Sequence, residues 1–262
     1  MIATLHIQVC SKNNLPILLK SYCTTPFKIV NITEDKSNPT LQLMLMSSSP
    51  GILNGDEYNI LIEVAENAAL QLHTQAYQRL FNMQLCATQT ANVHIQAHAS
   101  FIYLPHPTVP HAGASFVNTS NFYLQKNSTL IFGEVLTCGR KLNNEAFLFN
   151  KYHSITNIFM QKKLVIKENL LLQPSQFDVS IMGQLEGFTH QASMVCIHPT
   201  MNVPKLIPVL IAALHTQLNI EFGVSATPVN GVIIRLLGNG AEQLFSCLQQ
   251  IFALLRQQLK QL

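Results

Sequence analysis

Val93-His94-Ile95-Gln96-Ala97-His98-Ala99-Ser100 decides how this chain is read. Val93, Ile95, Ala97 and Ala99 fall on one side, and His94, Gln96, His98 and Ser100 on the other, the two-residue period of a half-buried strand. The same alternation recurs upstream. Leu41, Leu43 and Leu45 alternate with Gln42, Met44 and Met46. Ile60, Ile62 and Val64 alternate with Asn59, Leu61 and Glu63, and Leu70, Leu72 and Thr74 with Gln71, His73 and Gln75. Shorter strand candidates follow at 122–124, 130–136, 146–149, 155–159, 164–166, 179–185, 194–197 and 232–237. Turn chemistry separates them at Pro50-Gly51, Asn54-Gly55, Lys126-Asn127-Ser128 and Asn143-Asn144. Two segments carry helical spacing, both late. One runs from Pro204 to Ile220, with Pro208 expected in its first turn. The other runs from Asn239 to Gln261, with Asn239 as cap and Arg256 and Lys260 at the end that favours cations. Their apolar stripes are expected to pack onto the sheets, with a partner's groove as the alternative. Many short strands without alternating helices point to a mainly β, single-unit fold over 1–262. Periodicity does not choose among sandwich, barrel and irregular solenoid.

Composition narrows the function classes. Of 262 residues, 48% are hydrophobic and only 11% charged, against about 25% charged in an ordinary soluble domain. That excludes a disordered chain. With 16 basic and 13 acidic residues, scattered, no stripe exists to neutralise a run of phosphates, so nucleic acid is not an expected partner. No apolar window is long enough to span a membrane, and no signal peptide is visible, so the expected location is cytoplasmic. The six cysteines form no CxxC pair and read as small buried hydrophobes. A chain so poor in charge is expected to expose apolar surface that a partner covers.

No GxSxG, GxxxxGK[ST] or HExxH motif is present, so no enzyme class is indicated. Gly238-Asn239-Gly240 reads as a helix start, not a phosphate loop. Among the histidines, His94 and His98 on one strand would stand about 13 Å apart, too far to share an ion with bonds of about 2 Å. His106 and His111 lie in a proline-rich stretch expected to be irregular, and lack a third ligand nearby. More distinctive are lone charges in apolar or turn-rich surroundings: Asp56, Glu134, Arg140 and Glu145. A carboxylate in such a strand needs a partner or water, because stripping its hydration is costly. An internal Arg–carboxylate pair and a polar passage or partner-contact patch are both open readings.

Five segments, in order, resemble the UreD (UreH) family of urease accessory proteins over roughly residues 25 to 256. Ser49-Pro50-Gly51-Ile52-Leu53-Asn54-Gly55-Asp56 resembles the family's Pro-Gly-Gly…Gly-Asp loop, one glycine short. Leu72-His73-Thr74-Gln75-Ala76 resembles its Leu-Thr-Thr-Gln-Ala run. Tyr103-Leu104-Pro105-His106-Pro107-Thr108-Val109-Pro110 resembles Trp-Leu-Pro-Gln-Pro-Thr-Ile-Pro, with tyrosine in place of tryptophan. Gly139-Arg140…Glu145-Ala146-Phe147 and Gly231-Val232-Ile233-Ile234-Arg235-Leu236-Leu237-Gly238 complete the set. The resemblance implies a β-rich solenoid and a non-enzymatic scaffold. It would bind apo-urease and UreF, which recruits the GTPase UreG, and help deliver nickel to urease, by one route through an internal tunnel. No permanently bound cofactor is implied; nickel would be transient. The tunnel positions implied on this chain are Asp56, Glu134, Arg140 and Glu145. Two other classes compete: a stand-alone β-sandwich module for a small ligand, and a hydrolase using the carboxylates of Asp56 and Glu145.

Overall fold

A computed structural model describes residues 1–259. The chain opens with two antiparallel pairs, β1 (Ile2–Lys12) with β2 (Leu15–Cys23) and β3 (Phe27–Asn31) with β4 (Leu41–Ser47). It then coils. The first coil is β5 (Glu57–Val64), β6 (Ala69–Thr74) and β7 (Gln78–Leu80), and the second is β8 (Ala87–Ile95), β9 (Ser100–Tyr103) and β10 (Thr108–Pro110). β11 (Ser115–Leu124) and β12 (Thr129–Leu136) form the third. β13 (Lys151–Met160) starts another turn, and β14 (Lys163–Leu172) folds back on it. The chain finishes with β15 (His190–Ile197), α1 (Val203–Leu214), β16 (Glu221–Ala226), β17 (Gly231–Gly238) and α2 (Ala241–Leu259).

Successive coils stack in parallel register: Glu57 on Thr88, Thr88 on Val117, Val117 on His153. The result is a seven-stranded sheet in the order β14-β13-β11-β8-β5-β1-β2 facing a ten-stranded one in which β4, β6, β9 and β12 are parallel. This is the solenoid alternative. The core between the sheets is filled by the inward phase of each alternation, in rows such as Ile7, Ile62, Val93, Phe122 and Ile158.

The helices cover the outer face of the ten-stranded sheet. Leu206, Leu210 and Leu214 of α1 share one face, as do Leu244, Leu248, Ile251, Leu255 and Leu259 of α2, and all pack on Ile131, Met194, Val232 and Ile234. Gly133 lets α2 come close: a Cβ there would meet Leu104 at 2.8 Å and Leu248 at 3.2 Å. Among the described residues, no helix lies on the outer face of the seven-stranded sheet. That face is laced along the solenoid axis instead. Asn121 Nδ2 donates to Asn92 Oδ1 at 3.0 Å, and Asn157 Nδ2 to Asn121 Oδ1 at 2.9 Å. Beside this ladder, His94, Tyr123 and Phe159 stack at 4.7 and 5.1 Å.

Several expectations need correction. The alternation from Val93 breaks after Ile95: His98 sits in a turn at φ 58°, so it does not share a strand with His94. Residues 146–149 form an irregular loop and 179–185 a run of turns, where Phe149, Val179 and Leu185 are buried apolar anchors and not strand residues. α1 stops at Leu214, and Leu218 lies beyond it, exposed. Pro208 falls inside α1, past its first turn, and Asn202 caps the helix through Lys205 N–H. β16 and β17 follow α1, so only α2 is terminal. The Gly240 carbonyl starts α2, while Asn239 Oδ1 accepts from Thr189. Lys260 and Gln261 lie outside the described residues. The proline-rich stretch contains β10, paired with β7 and β12. Cys138, Cys196 and Cys247 are buried as expected, but Cys10 and Cys23 are half-buried and Cys86 is exposed.

Candidate functional site

The inward phase of the alternation is not apolar throughout. Ala3, Tyr58, Gln89, Asn118 and Ser154 form one inward row across five strands of the seven-stranded sheet. Asn118 shares its strand face with Phe116 and Phe122, which are buried, so the period that places those rings in the core also carries the amide there. From the opposite sheet come Gln78 on β7, Thr108 on β10 and Glu134 on β12.

These side chains form an unbroken hydrogen-bonded file. Thr108 Oγ1 donates to Gln78 Oε1 at 3.4 Å, and Gln78 Nε2 to Gln89 Oε1 at 3.1 Å. Gln89 Nε2 donates to Asn118 Oδ1 at 3.3 Å, and Asn118 Nδ2 to Glu134 Oε1 at 3.3 Å. Ser154 Oγ lies 3.3 Å from both oxygens of Glu134. Each of the three amides accepts at its oxygen and donates from its nitrogen, and Glu134 accepts at the end of the file, which is how polar groups survive in a core.

The file joins three cavities. At one end a cavity of 260 Å³ is lined by Ser49, Tyr58, Gln75, Gln78 and Gln89. An inner space of 50 Å³ reaches Gln78, Gln89, Asn118 and Glu134. A water needs about 10–15 Å³ by the same kind of measure, so it has room for a few. Glu134, Tyr152 and Ser154 then open onto a cavity of 680 Å³ between the two sheets, with Glu168 and Arg235 at its rim.

Glu134 is the electrostatic centre. Burial pushes its carboxyl up to about 7. The nearby Glu168 adds to this, and hydrogen bonds from Ser154 and Asn118 oppose it. Near neutrality it is balanced between its two forms. Tyr103 and Tyr152 are raised well above their usual range by burial and by Glu134. Chemically, the file offers amide and hydroxyl oxygens and one carboxyl on the edge of ionisation. No group of three or more His, Cys, Asp or Glu able to hold a metal ion exists among the described residues. Such a row can hydrate and exchange a cation, and does not provide a tight cage.

Of the four charges singled out from sequence, Glu134 alone stands in the file. Asp56 is buried one residue behind the wall. Its carboxylate accepts from Leu53 N–H at 2.8 Å and from the Met1 amino group at 3.0 Å, and Tyr58 Oη reaches it at 3.4 Å. Arg140 and Glu145 pair with each other at the surface, Nε to Oε2 at 2.8 Å, and neither bonds Asp56 or Glu134. The pairing holds Glu145 below its usual range. His106 bonds Thr74 Oγ1 at 2.8 Å and packs on Phe245, while His111 is buried against Phe81.

Gln78, Gln89, Asn118, Ser154, Glu168 and Arg235 were not singled out by sequence reasoning. A signal existed for three of them. Gln89 sits in phase with Ala87 and Val93, Asn118 with Phe116 and Phe122, and Ser154 with Tyr152 and Ile158. A polar residue on the apolar phase of a strand is the mark of an internal polar path.

The profile of the family described as UreD urease accessory protein matches residues 2–262. Relatives named urease accessory protein UreD resemble the chain along nearly its whole length. The one from Flavobacterium johnsoniae is 46% identical over 252 residues, covering 96% of this chain and 91% of the relative. The one from Acetivibrio thermocellus is 33% identical over 248 residues, 94% of each. One from Haemophilus influenzae is 31% identical over 252 residues, 91% of this chain and 93% of the relative.

Proposed function

Because the chain belongs to the UreD family of urease accessory proteins, we propose that it is a non-catalytic scaffold of urease maturation through which nickel passes to apo-urease. In this reading it acts in the cytoplasm, binds apo-urease and UreF, and meets UreG through UreF. The nickel ion is cargo, held only in transit. The file from Gln78 to Glu134 carries the proposal. It runs through the core of a protein that has every packing reason to be apolar there, and it connects a cavity at each end. Neutral oxygens with one carboxyl suit transfer, since a carrier must release what it takes up, and soft or chelating ligands would retain nickel.

Leu142 is fully exposed and Met182 is 89% exposed, and single apolar side chains of this kind are ordinary on a protein surface. No helix among the described residues is long and apolar enough to cross a membrane.

The test is Glu134→Gln, co-expressed with UreF, UreG and urease. Capture of UreF by the tagged chain should be unchanged, and the nickel content of the purified urease should fall severalfold. Full nickel loading with normal capture would remove Glu134, and with it the passage, from the mechanism.

A further inference from the structure

An ion pair crosses the wide mouth of the file. Arg235 on β17 stands in the same row as Glu134: Glu134 faces Ser193 on β15, and Ser193 faces Arg235. Two strand spacings separate them, about 10 Å. The Arg235 guanidinium donates to Glu168 Oε1 on β14, so the pair bridges the ten-stranded and the seven-stranded sheets. Both side chains share the 680 Å³ cavity with Glu134, and Lys167 and Glu221 supply its other charges. Two cations therefore face three carboxylates.

The pair has the properties of a latch. Arg235 is 65% exposed, so solvent screens the pair and removing it costs the fold little. Glu168 is only 20% exposed, and without its guanidinium it would be a second carboxylate free to face Glu134. A divalent cation reaching Glu134 would then meet Glu168 as a further unpaired carboxylate of the same cavity, and cation affinity climbs with the number of charged ligands. A guanidinium cannot ligate a metal, and its charge repels one.

Resting on the reading that nickel passes Glu134, we infer that Arg235 is a positioning residue that keeps Glu168 occupied, so that a divalent cation is handed on from Glu134 and not trapped between two carboxylates. Removing the guanidinium then tightens binding and slows transfer, whereas removing Glu168 does not tighten it.

The experiment uses the full chain purified in complex with UreF, dialysed against nickel(II) chloride alone, beside urease nickel content in co-expressing cells. Arg235→Leu should retain nickel about tenfold more tightly than the parent, through one more charged ligand, and should lower urease loading. Arg235→Leu with Glu168→Gln should return retention to the parent level, and Arg235→Lys should behave as the parent. If Arg235→Leu reduces capture of UreF, Arg235→Gln takes its place with the same two readouts. Unchanged retention and loading in the folded variant would overturn the latch. If Glu134→Gln leaves urease loading untouched, the passage fails first. If it lowers loading while the Arg235 variants match the parent, only the latch fails.

Discussion

Glu134→Gln keeps the outline of the side chain and removes its titration. In the folded protein burial holds this carboxyl at about 7, against an ordinary 4.5, so the fold binds a proton over a range in which the unfolded chain has released it. The stability that the neutral carboxyl brings is complete below the unfolded value and is lost as pH rises through the folded one. A gap of roughly 2.5 pH units at about 1.36 kcal/mol each comes to about 3 kcal/mol. Glutamine has nothing to ionise. The variant should therefore match the parent near about pH 4.5 and exceed it by about 3 kcal/mol near about pH 8. Histidines work in the opposite sense. His190 is lowered to about 4, and His73, His111 and His198 are also lowered, burial being the largest cause in each. Their neutral rings suit the fold, so stability rises with pH through them, but they are common to both proteins and cancel in the difference. Urea unfolding followed by far-ultraviolet circular dichroism suits a chain with no tryptophan. Curves for parent and variant that stay a constant distance apart from acid to alkaline pH would refute a buried, protonatable Glu134.

Asp56→Ala removes the acceptor for Leu53 N–H and should destabilise the protein by about 1–3 kcal/mol in thermal melting. Yield and urease loading should fall in step; a selective loss of loading at normal yield would give Asp56 a direct part in transfer. His106→Ala combined with His111→Ala loses packing on Phe245 and Phe81, so the melting temperature should drop while urease nickel per unit of complex stays at the parent level. Loss of nickel in an intact complex would make that segment a metal site.

The β character was legible because alternation marks a half-buried strand wherever it occurs, and the five segments resembling the UreD family fell in register along one chain. The solenoid was implied by that resemblance and not by periodicity, since parallel stacking of Thr88 on Glu57 leaves no trace in either strand alone. The strands β1 and β2 went unassigned although Ala3, Leu5, Ile7 and Val9 alternate cleanly with Thr4, His6 and Gln8. Residues 146–149 and 179–185 misled because loops that cross the ends of a solenoid also bury apolar side chains. Glu134 could be singled out as a charge among Phe132, Val135 and Leu136, because a misfit within one strand is a local observation. Its neighbours Gln89, Asn118 and Ser154 each sit on the inward phase of their own strand, but they come from three different coils, and only stacking the coils joins them into a file. Arg140 and Glu145 drew attention for the same misfit, and proved to be each other's partners at the surface.

The ladders on the helix-free face have a consequence for how such a protein can change in length. Asn92, Asn121 and Asn157 meet only because three strands enter the sheet in one phase, and His94, Tyr123 and Phe159 stack two residues further along each. Losing a single residue within any of these strands turns its remaining rungs to the opposite side, so the damage spreads to the coils above and below. Losing a whole turn brings two outer turns together with every rung still matched, and the connecting corners absorb any difference in loop size. Descent with modification in this architecture should therefore proceed by whole turns and by corner insertions, much as a spiral staircase is shortened by removing complete flights.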